Sequence, residues 1–157
     1  MPASPDLLAA LGGPVHLVAP RLLGAALSCG GVTLILTEVE AYGGSDDPGS
    51  HAFRGPTPRN RSMYLTRGHA YVYFIYGTSF MLNISSGPEG QGAAVLIRAL
   101  EPLSGIPHME RNRGSARLKD LMRGPGRLAR AMAIDRDRKS TRLNSSHTDI
   151  SRMPSSA

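Results

Sequence analysis

Cysteine is nearly absent from this 157-residue chain, which contains Cys29 alone. A single cysteine excludes an internal disulfide. None of the five histidines has a cysteine or a second histidine at the spacing of a metal site. The sequence therefore predicts metal-free chemistry, and we expect no other cofactor.

The first 118 residues contain no lysine, and the chain has no long apolar run. Most of the chain therefore lacks an amine that could form an imine with a substrate. No apolar stretch approaches the length needed to cross a bilayer. The first residues, MPASPDLLAALGGP, have no basic segment ahead of their apolar residues, unlike a secretory leader. We therefore expect a cytoplasmic protein without a membrane segment.

Positive charge is abundant but unevenly placed. The chain carries a formal net charge of +6, and its length and 41% hydrophobic content are typical of one globular domain. Residues 1–110 contain 6 basic and 8 acidic side chains, whereas residues 111–157 contain 12 and 4. Such a basic strip is usually a solvated helix face, but it also suits a polyanion such as nucleic acid.

The stretch Tyr71–Ser86, YVYFIYGTSFMLNISS, predicts a β-hairpin. Apolar and polar residues alternate on both sides of a polar tip, Tyr76-Gly77-Thr78-Ser79, and a glycine in such a break is a hairpin signal. Tyr76 is therefore expected at the exposed end. Taken alone, the stretch favours a core ribbon whose phenols cap its edges over a tip tyrosine that meets a partner.

A second strand is predicted at Val32–Tyr42, which is rich in β-branched residues. A period of two places four of its side chains on one face: Leu34, Leu36, Glu38 and Glu40. Glu40 then ends an apolar row. A glutamate at a strand end is usually just solvated, so a catalytic role needs support from its surroundings.

Two further segments carry polar side chains of interest. Gly43–Asn60 is a long loop that contains His51 and Arg59, and loops of this length are usually functional or disordered. Ala93–Leu100 predicts an apolar strand with one polar residue, Arg98. Arg98 needs an anion: either an ion pair, with Glu101 as a candidate, or a carboxylate or water that it orients beneath the hairpin.

Helical spacing occurs in four segments: Ala19–Ser28, Ile106–Arg113, Ala116–Met122 and Leu128–Ile134. Pro125 lies in the break before the last of them, at a position typical of a helix start. Backbone N–H groups at that start, flanked by Arg123 and Arg127, are suited to a phosphate, although a plain loop–helix junction explains the pattern as well.

Six blocks of the chain resemble one enzyme family. They are TEVEAY at 37–42, TPRNR at 57–61, YVYFIYG at 71–77, MLNISS at 81–86, LIRALEP at 96–102 and GPGRLARAMAID at 124–135. In this order and spacing they look like the alkyladenine (3-methyladenine) DNA glycosylase family, over residues 19–135. The resemblance implies a single mixed α/β (α+β) domain with a curved, mainly antiparallel sheet, surrounding helices and a projecting β-hairpin.

The resemblance also implies roles for individual residues. Such an enzyme turns a damaged purine out of duplex DNA, because the bond that it cleaves is unreachable inside the stack. By similarity, Tyr76 fills the vacated stack and four residues contact the flipped base: Tyr42, His51, Tyr73 and Asn83. Asn83 would lie against the purine edge, where guanine carries an extra amine.

For the chemistry, Glu40 matches the general base and Arg98 the residue that helps to hold the attacking water. His51 or a pocket water could assist protonation of neutral lesions. The matched core has no lysine nucleophile, so we expect a monofunctional enzyme that does not nick the strand. The implied partner is double-stranded DNA with damaged purines, bound by a monomer near the nucleoid of a bacterial-type cell. We expect four arginines to contact the DNA backbone: Arg59, Arg61, Arg123 and Arg127.

The last residues differ from this pattern. Residues 137–147, DRKSTRLNSSH, read as the translation of a sequencing adapter, and residues 151–157 match the next part of it. Their Ser/Thr/Arg-rich composition predicts disorder. We therefore expect a glycosylase domain at 1–136 that is incomplete at its C-terminus, followed by a non-native tail at 137–157. A non-catalytic nucleic-acid-binding module and an inactive truncated fragment are the alternatives.

Overall fold

One antiparallel sheet of six strands organises the chain in the computed structural model, which describes residues 5–29, 32–75, 77–114, 117–134 and 148–152. The strands are β1 (Ala25–Cys29), β2 (Val32–Tyr42), β3 (Ala70–Ile75), β4 (Ser79–Ser86), β5 (Ala93–Ser104) and β6 (Thr148–Arg152). Their order in the sheet is β3-β4-β5-β2-β1-β6, and all five pairings are antiparallel.

Four α-helices accompany the sheet: α1 (Pro5–Ala10), α2 (Val15–Leu22), α3 (Ile106–Arg113) and α4 (Pro125–Ala131). Short 3₁₀ turns lie at Arg61–Tyr64 and Leu118–Asp120. The predicted mixed α/β class with a mainly antiparallel sheet is confirmed. No helix in the described parts is long and apolar enough to span a membrane.

The two faces of the sheet have different coverings. On the helix face, side chains of Leu34, Val72, Leu82 and Val95 pack with buried residues of α2, α3 and α4 into the main core. On the other face, called the pocket face, Tyr71 and Ala94 pack with Ala52 and Met63 from the segment between β2 and β3. This smaller cluster supports the candidate site described below.

Paired irregularities in β2 and β5 decide which face Glu40 occupies. Leu36 pairs with Leu100 and Glu38 with Ala99, which leaves Thr37 without a partner in the ladder; Val39 then pairs with Ile97, which leaves Arg98 without one. Each bulged residue shifts the alternation of its strand by one position. Val39 and Ala41 therefore pack against the main core, as Leu34 and Leu36 do.

The expectation that one face holds Leu34, Leu36, Glu38 and Glu40 is therefore wrong. Strict alternation would have kept the glutamates in line with the two leucines, but the bulge at Thr37 turns Glu40 to the pocket face. Bulges often re-aim side chains in this way near functional sites. The bounds predicted for the strand itself, Val32–Tyr42, are confirmed.

The hairpin is formed as predicted, with Tyr71 opposite Asn83 and Phe74 opposite Phe80. Thr78 N–H donates to the Ile75 carbonyl across the turn at 3.1 Å. Gly77 has φ of +65° in this turn, a conformation that favours glycine. Tyr76, the tip tyrosine, lies outside the described residues.

Two of the predicted helices differ in the structure. The segment predicted as one helix, Ala19–Ser28, is the end of α2 followed by β1. The spacing of its apolar residues fits the period of a helix as well as that of a strand. After α2 ends at Leu22, the Gly24 N–H donates to the Leu36 carbonyl of β2 at 2.9 Å. Of the predicted helix Ala116–Met122, only the 3₁₀ turn at Leu118–Asp120 forms in the described residues.

The other two predicted helices form, one of them with different bounds. Ile106–Arg113 has the bounds that were expected. The last helix, predicted at Leu128–Ile134, begins three residues earlier at Pro125, the residue noted as typical of a helix start, and ends at Ala131, because Ala133 adopts a φ of +53°. Helix α4 approaches β4 closely: a Cβ at Gly126 would lie 2.8 Å from the Ser79 hydroxyl oxygen.

The predicted tail contributes one strand within the described residues. Thr148–Arg152 forms β6, which pairs along the whole of β1. These five residues differ from the predicted disorder, because β1 would be an edge strand without β6 and its unpaired N–H and C=O groups would be open to any extended segment. Residues 137–147 and 153–157 lie outside the described residues, and the non-native origin of the tail stays a prediction.

Candidate base-recognition site

A cavity of about 150 Å³ opens on the pocket face of the sheet. It brings together all four residues that were predicted to contact a base: Tyr42 at the end of β2, His51 from the loop, Tyr73 on β3 and Asn83 on β4. Gly49, Met63, Tyr71 and Ile75 complete the lining. These residues come from four separate parts of the chain, so the cavity exists only in the folded sheet.

The loop Gly43–Asn60 reaches the cavity as an ordered segment held by two polar side chains. The Asp47 carboxylate accepts hydrogen bonds from the N–H groups of Gly43 and Gly49 at 2.8 and 2.9 Å. Asn60, which is 2% exposed, donates from Nδ2 to the carbonyls of His51 and Gly55. The bond to the His51 carbonyl fixes the position of the ring at the cavity.

Three rings form the aromatic wall of the cavity. The ring centroids of His51 and Tyr73 are 4.5 Å apart with planes at 65°, and those of Tyr71 and Tyr73 are 5.4 Å apart. His51 Nδ1 lies 2.9 Å from the Tyr71 hydroxyl. Such contacts immobilise the rings before any ligand arrives.

The aromatic wall is uncharged at neutral pH. Burial raises the pKa of Tyr71 to about 12, an effect that the nearby Arg59 guanidinium opposes. Burial, and secondarily the charge of Arg59, lower the pKa of His51 below its ordinary value. A lower pKa reduces the protonated fraction of His51 at pH 7, which does not favour His51 as a proton donor; its role with neutral lesions stays a prediction.

Glu40 lies beside the cavity, and each of its two carboxylate oxygens accepts a hydrogen bond. The Tyr42 hydroxyl donates to Glu40 Oε1 at 2.7 Å, and Arg98 Nη1 donates to Oε2 at 2.9 Å. Burial, and then the bond to Glu40, raise the pKa of Tyr42 to about 12, so its phenol keeps its proton. A carboxylate has about four lone-pair sites, so Glu40 retains the capacity to accept a bond from a water.

Arg98 bridges two carboxylates. Its Nε donates to Glu38 Oε1 at 3.1 Å while Nη1 contacts Glu40. The Glu38 bond is the main reason that the pKa of Arg98 is raised. The arginine therefore pairs with residues of β2, not with Glu101, the candidate considered from the sequence.

Asn83 is 3% exposed and lies opposite Tyr71 in the hairpin. Its Nδ2 donates to the Tyr71 carbonyl at 3.2 Å, which fixes the amide plane against the cavity. The residue thus satisfies a backbone group and lines the cavity as well.

The four arginines predicted to contact DNA fall into two groups. Arg59 lies 5.8 Å from the Tyr73 ring centroid and donates to the Phe74 carbonyl at 3.2 Å, and Arg61 is exposed in the adjacent 3₁₀ turn. The backbone of Arg123 forms an isolated antiparallel β-bridge with that of Ala99, and Arg127 is exposed on α4. Arg59 thus borders the cavity through Tyr73, whereas Arg127 lines a separate groove.

Sequence reasoning missed several contributors. Tyr71 and Met63 lack a local signal, since an aromatic or methionine in an apolar run usually reports core packing. Asn60 and Glu38 could have been noticed, because both lie in segments singled out for other residues. No group of three potential metal ligands occurs among the described residues.

The arrangement combines a cavity walled by aromatic rings with an ion pair beside it. The aromatic rings can stack on a planar heterocycle, and their faces attract a positively charged one. The carboxylate of Glu40 can accept a proton from a water or stabilise a developing positive charge.

Comparisons with known proteins identify relatives of this chain. A protein from Mesorhizobium japonicum is 64% identical over 101 residues, which are 64% of this chain and 48% of that protein. Proteins from Frankia casuarinae and Rhodopseudomonas palustris are 48% and 49% identical over 132 and 120 residues, or 84% and 76% of this chain and 62% and 58% of theirs. Each carries the words 3-methyladenine DNA glycosylase in its name.

The chain spans about half to three fifths of the length of these curated relatives. The model of the methylpurine-DNA glycosylase family matches residues 9–156, and so extends beyond residue 135, where the resemblance noted in the sequence ends. With nearly the whole chain matched and the relatives in agreement, the protein belongs to the methylpurine-DNA glycosylase family.

Proposed function

We propose that this protein is a monofunctional DNA glycosylase of base excision repair. It releases alkylated or deaminated purines from double-stranded DNA, which it binds as a monomer. The observation that carries the proposal is the aromatic cavity with Glu40 and Arg98 at its edge. A module that only binds nucleic acid has no need of a carboxylate held in this position.

In the proposed reaction, a water oxygen bonds to the anomeric carbon of the sugar while the bond to the purine nitrogen breaks. The proton of the water passes to Glu40, and the electron pair of the broken bond leaves with the base. An alkylated purine starts as a cation and departs neutral, so no acid is needed. Arg98 holds Glu40 and the water in line as positive charge develops on the sugar.

The His51, Tyr71 and Tyr73 rings and Tyr42 suit the flipped base. A neutral slot does not repel a cationic purine, and the aromatic faces attract it. Arg59, Arg61, Arg123 and Arg127 are proposed to contact DNA phosphates, which fix the register of the protein without reading sequence. Release of free base from lesion DNA separates this proposal from a binding module, and circular dichroism of the purified chain separates it from a fragment that does not fold.

The first prediction concerns Glu40. Glu40→Gln keeps the size of the side chain and an acceptor for Tyr42 or Arg98, so lesion DNA should still bind. Single-turnover excision should fall by roughly 10²–10⁴-fold, the range for loss of a general base. Glu101→Gln, an exposed glutamate of β5, is the matched control. Near-normal excision by Glu40→Gln would remove Glu40 from the chemistry.

The second prediction concerns Tyr76, proposed as the residue that fills the vacated stack. Tyr76→Ser should weaken flipping by on the order of a few kcal/mol, the scale of unstacking a base step. Excision should therefore fall on a fully paired duplex but not on a looped substrate in which the lesion is already unpaired. An equal loss on both substrates would assign Tyr76 to the chemistry or to folding.

The third prediction concerns selectivity at Asn83. Its amide is fixed against the cavity, where close packing would exclude the exocyclic amine of guanine. Asn83→Ser should widen the cavity and raise excision of guanine lesions relative to adenine lesions on matched duplexes. It should also cost about 1 kcal/mol of stability through the lost bond to the Tyr71 carbonyl.

Ser86→Ala is the control for Asn83→Ser, because Ser86 is buried in the same strand and does not line the cavity. If the folded Asn83→Ser variant gives the same ratio of the two lesions as this control, Asn83 has no part in selecting the base.

A further inference from the structure

A groove lies on the opposite side of the hairpin from the base cavity. Phe74 of β3 and Phe80 of β4 form its floor, with ring centroids 4.8 Å apart. Arg113 of α3 and Arg127 and Arg130 of α4 also line it. Its volume is about 470 Å³. Because successive strand residues point to opposite faces, the Phe74 side chain faces this groove, called the arginine groove, and the Tyr73 side chain faces the cavity.

Three cations line the arginine groove and none of the lining residues is acidic, although the charge of Asp120 acts on Arg113 from outside the lining. Burial, and then the charges of Arg127 and Arg130, lower the pKa of Arg113. Arg113 Nη1 is engaged with the carbonyls of Asp120 and Leu121 at 2.9 and 2.6 Å. Arg127 and Arg130 are exposed, and neither forms an ion pair with a residue that the structure describes.

We propose that the arginine groove binds backbone phosphates of the same DNA duplex, on the far side of the hairpin from the flipped base. Arginines held close together repel one another, so a bound anion stabilises the cluster. Nucleic acid is the favoured anion, because its binding also releases counterions from its phosphate backbone. The groove adjoins the hairpin that leads to Tyr76, so DNA engaged by the tip extends past both sides of the hairpin. This inference rests on the proposed function.

The test is the salt dependence of binding to an undamaged duplex. The logarithm of the affinity falls with the logarithm of the salt concentration in proportion to the phosphates neutralised. Arg130→Gln should reduce that slope by about 1, and Arg127→Gln with Arg130→Gln by about 2. Arg21→Gln, an exposed arginine of α2 outside the groove, should leave the slope unchanged.

An unchanged slope for Arg130→Gln, or an equal reduction for Arg21→Gln, would overturn the inference. The result is independent of the chemistry. If the unaltered protein releases no base but its slope depends on Arg130, the proposed reaction fails and the groove stands. If it releases base and the Arg130→Gln substitution leaves the slope unchanged, only the inference about the groove is wrong.

A second inference concerns Glu38, whose bond to Arg98 Nε is independent of the groove. Glu38 does not line the cavity, and its side chain is 61% exposed. An exposed ion pair of this kind contributes little to folding. It does, however, fix the plane of the guanidinium, because Nε and Nη1 are directed at Glu38 and Glu40 respectively.

We infer that Glu38 is a positioning residue, which acts on the reaction only through Arg98. Without Glu38 the guanidinium can rotate about its stem and lose its alignment with Glu40. Misplacement of a catalytic group by about 1 Å can cost about 10²-fold in rate. The inference rests on the proposed function and adds to it a residue outside the cavity.

The test is a cycle of Glu38→Ala and Arg98→Ala, singly and together. Glu38→Ala should lower single-turnover excision at saturating lesion DNA by roughly 10-fold, with Kd for that DNA changed far less. In the Arg98→Ala background the same substitution should have no further effect, because interacting residues are not additive. Glu101→Ala is the control on the neighbouring strand. Additive losses, or an equal loss in the control, would overturn the inference.

Solvent exchange of the Arg98 Nε–H, followed by NMR, gives a readout that needs no catalysis. Exchange should be faster in Glu38→Ala than in the unaltered protein and unchanged in Glu101→Ala. If exchange does not respond to Glu38, the positioning role is excluded even if base release is observed. If it responds and no base is released, only the proposed reaction fails.

Discussion

The paired bulges at Thr37 and Arg98 are the constraint on which the rest of the site depends. On one side of the bulges, Leu36 of β2 and Leu100 of β5 point into the main core. On the other side, Val39 of β2 and Ile97 of β5 do so. One extra residue in each strand keeps the ladder continuous while it changes which side chains face the helices. Without both bulges, either Glu40 would be buried in the core or the sheet would lose its register.

The bulges also explain how an apolar sheet tolerates three charged side chains. Arg98 is the extra residue in β5, and it lies between the two glutamates that the β2 bulge turns outward. One guanidinium therefore contacts two carboxylates beside the cavity, and the three groups together keep a net charge of -1. In contrast, burial raises the pKa of the Tyr42 and Tyr71 phenols and lowers that of the His51 imidazole, which favours the neutral form of each ring at the cavity.

The sequence predicts this protein best where the pattern is local and least where it depends on pairing. The alternation in Val32–Tyr42 and the turn at Gly77 were sufficient to locate strands, and the blocks of family resemblance brought Tyr42, His51, Tyr73 and Asn83 together as the cavity does. The face of Glu40 was beyond reach, because a bulge is a property of two paired strands. The helix predicted at Ala19–Ser28 failed for a related reason: Ala25–Cys29 becomes a strand only because β2 lies beside it.

The hairpin connects these observations to DNA. Its two faces carry unlike surfaces, with Tyr73 and Asn83 at an uncharged cavity and Phe74 and Phe80 beneath three arginines. In the proposed complex, a duplex opened at the hairpin would offer a base to one face and phosphates to both. Stacking is insensitive to salt whereas phosphate contacts are not, so ionic strength would separate the two proposed contacts experimentally. The proposal thus assigns base recognition to the strands of the sheet and most of the electrostatic attraction to exposed side chains at its periphery.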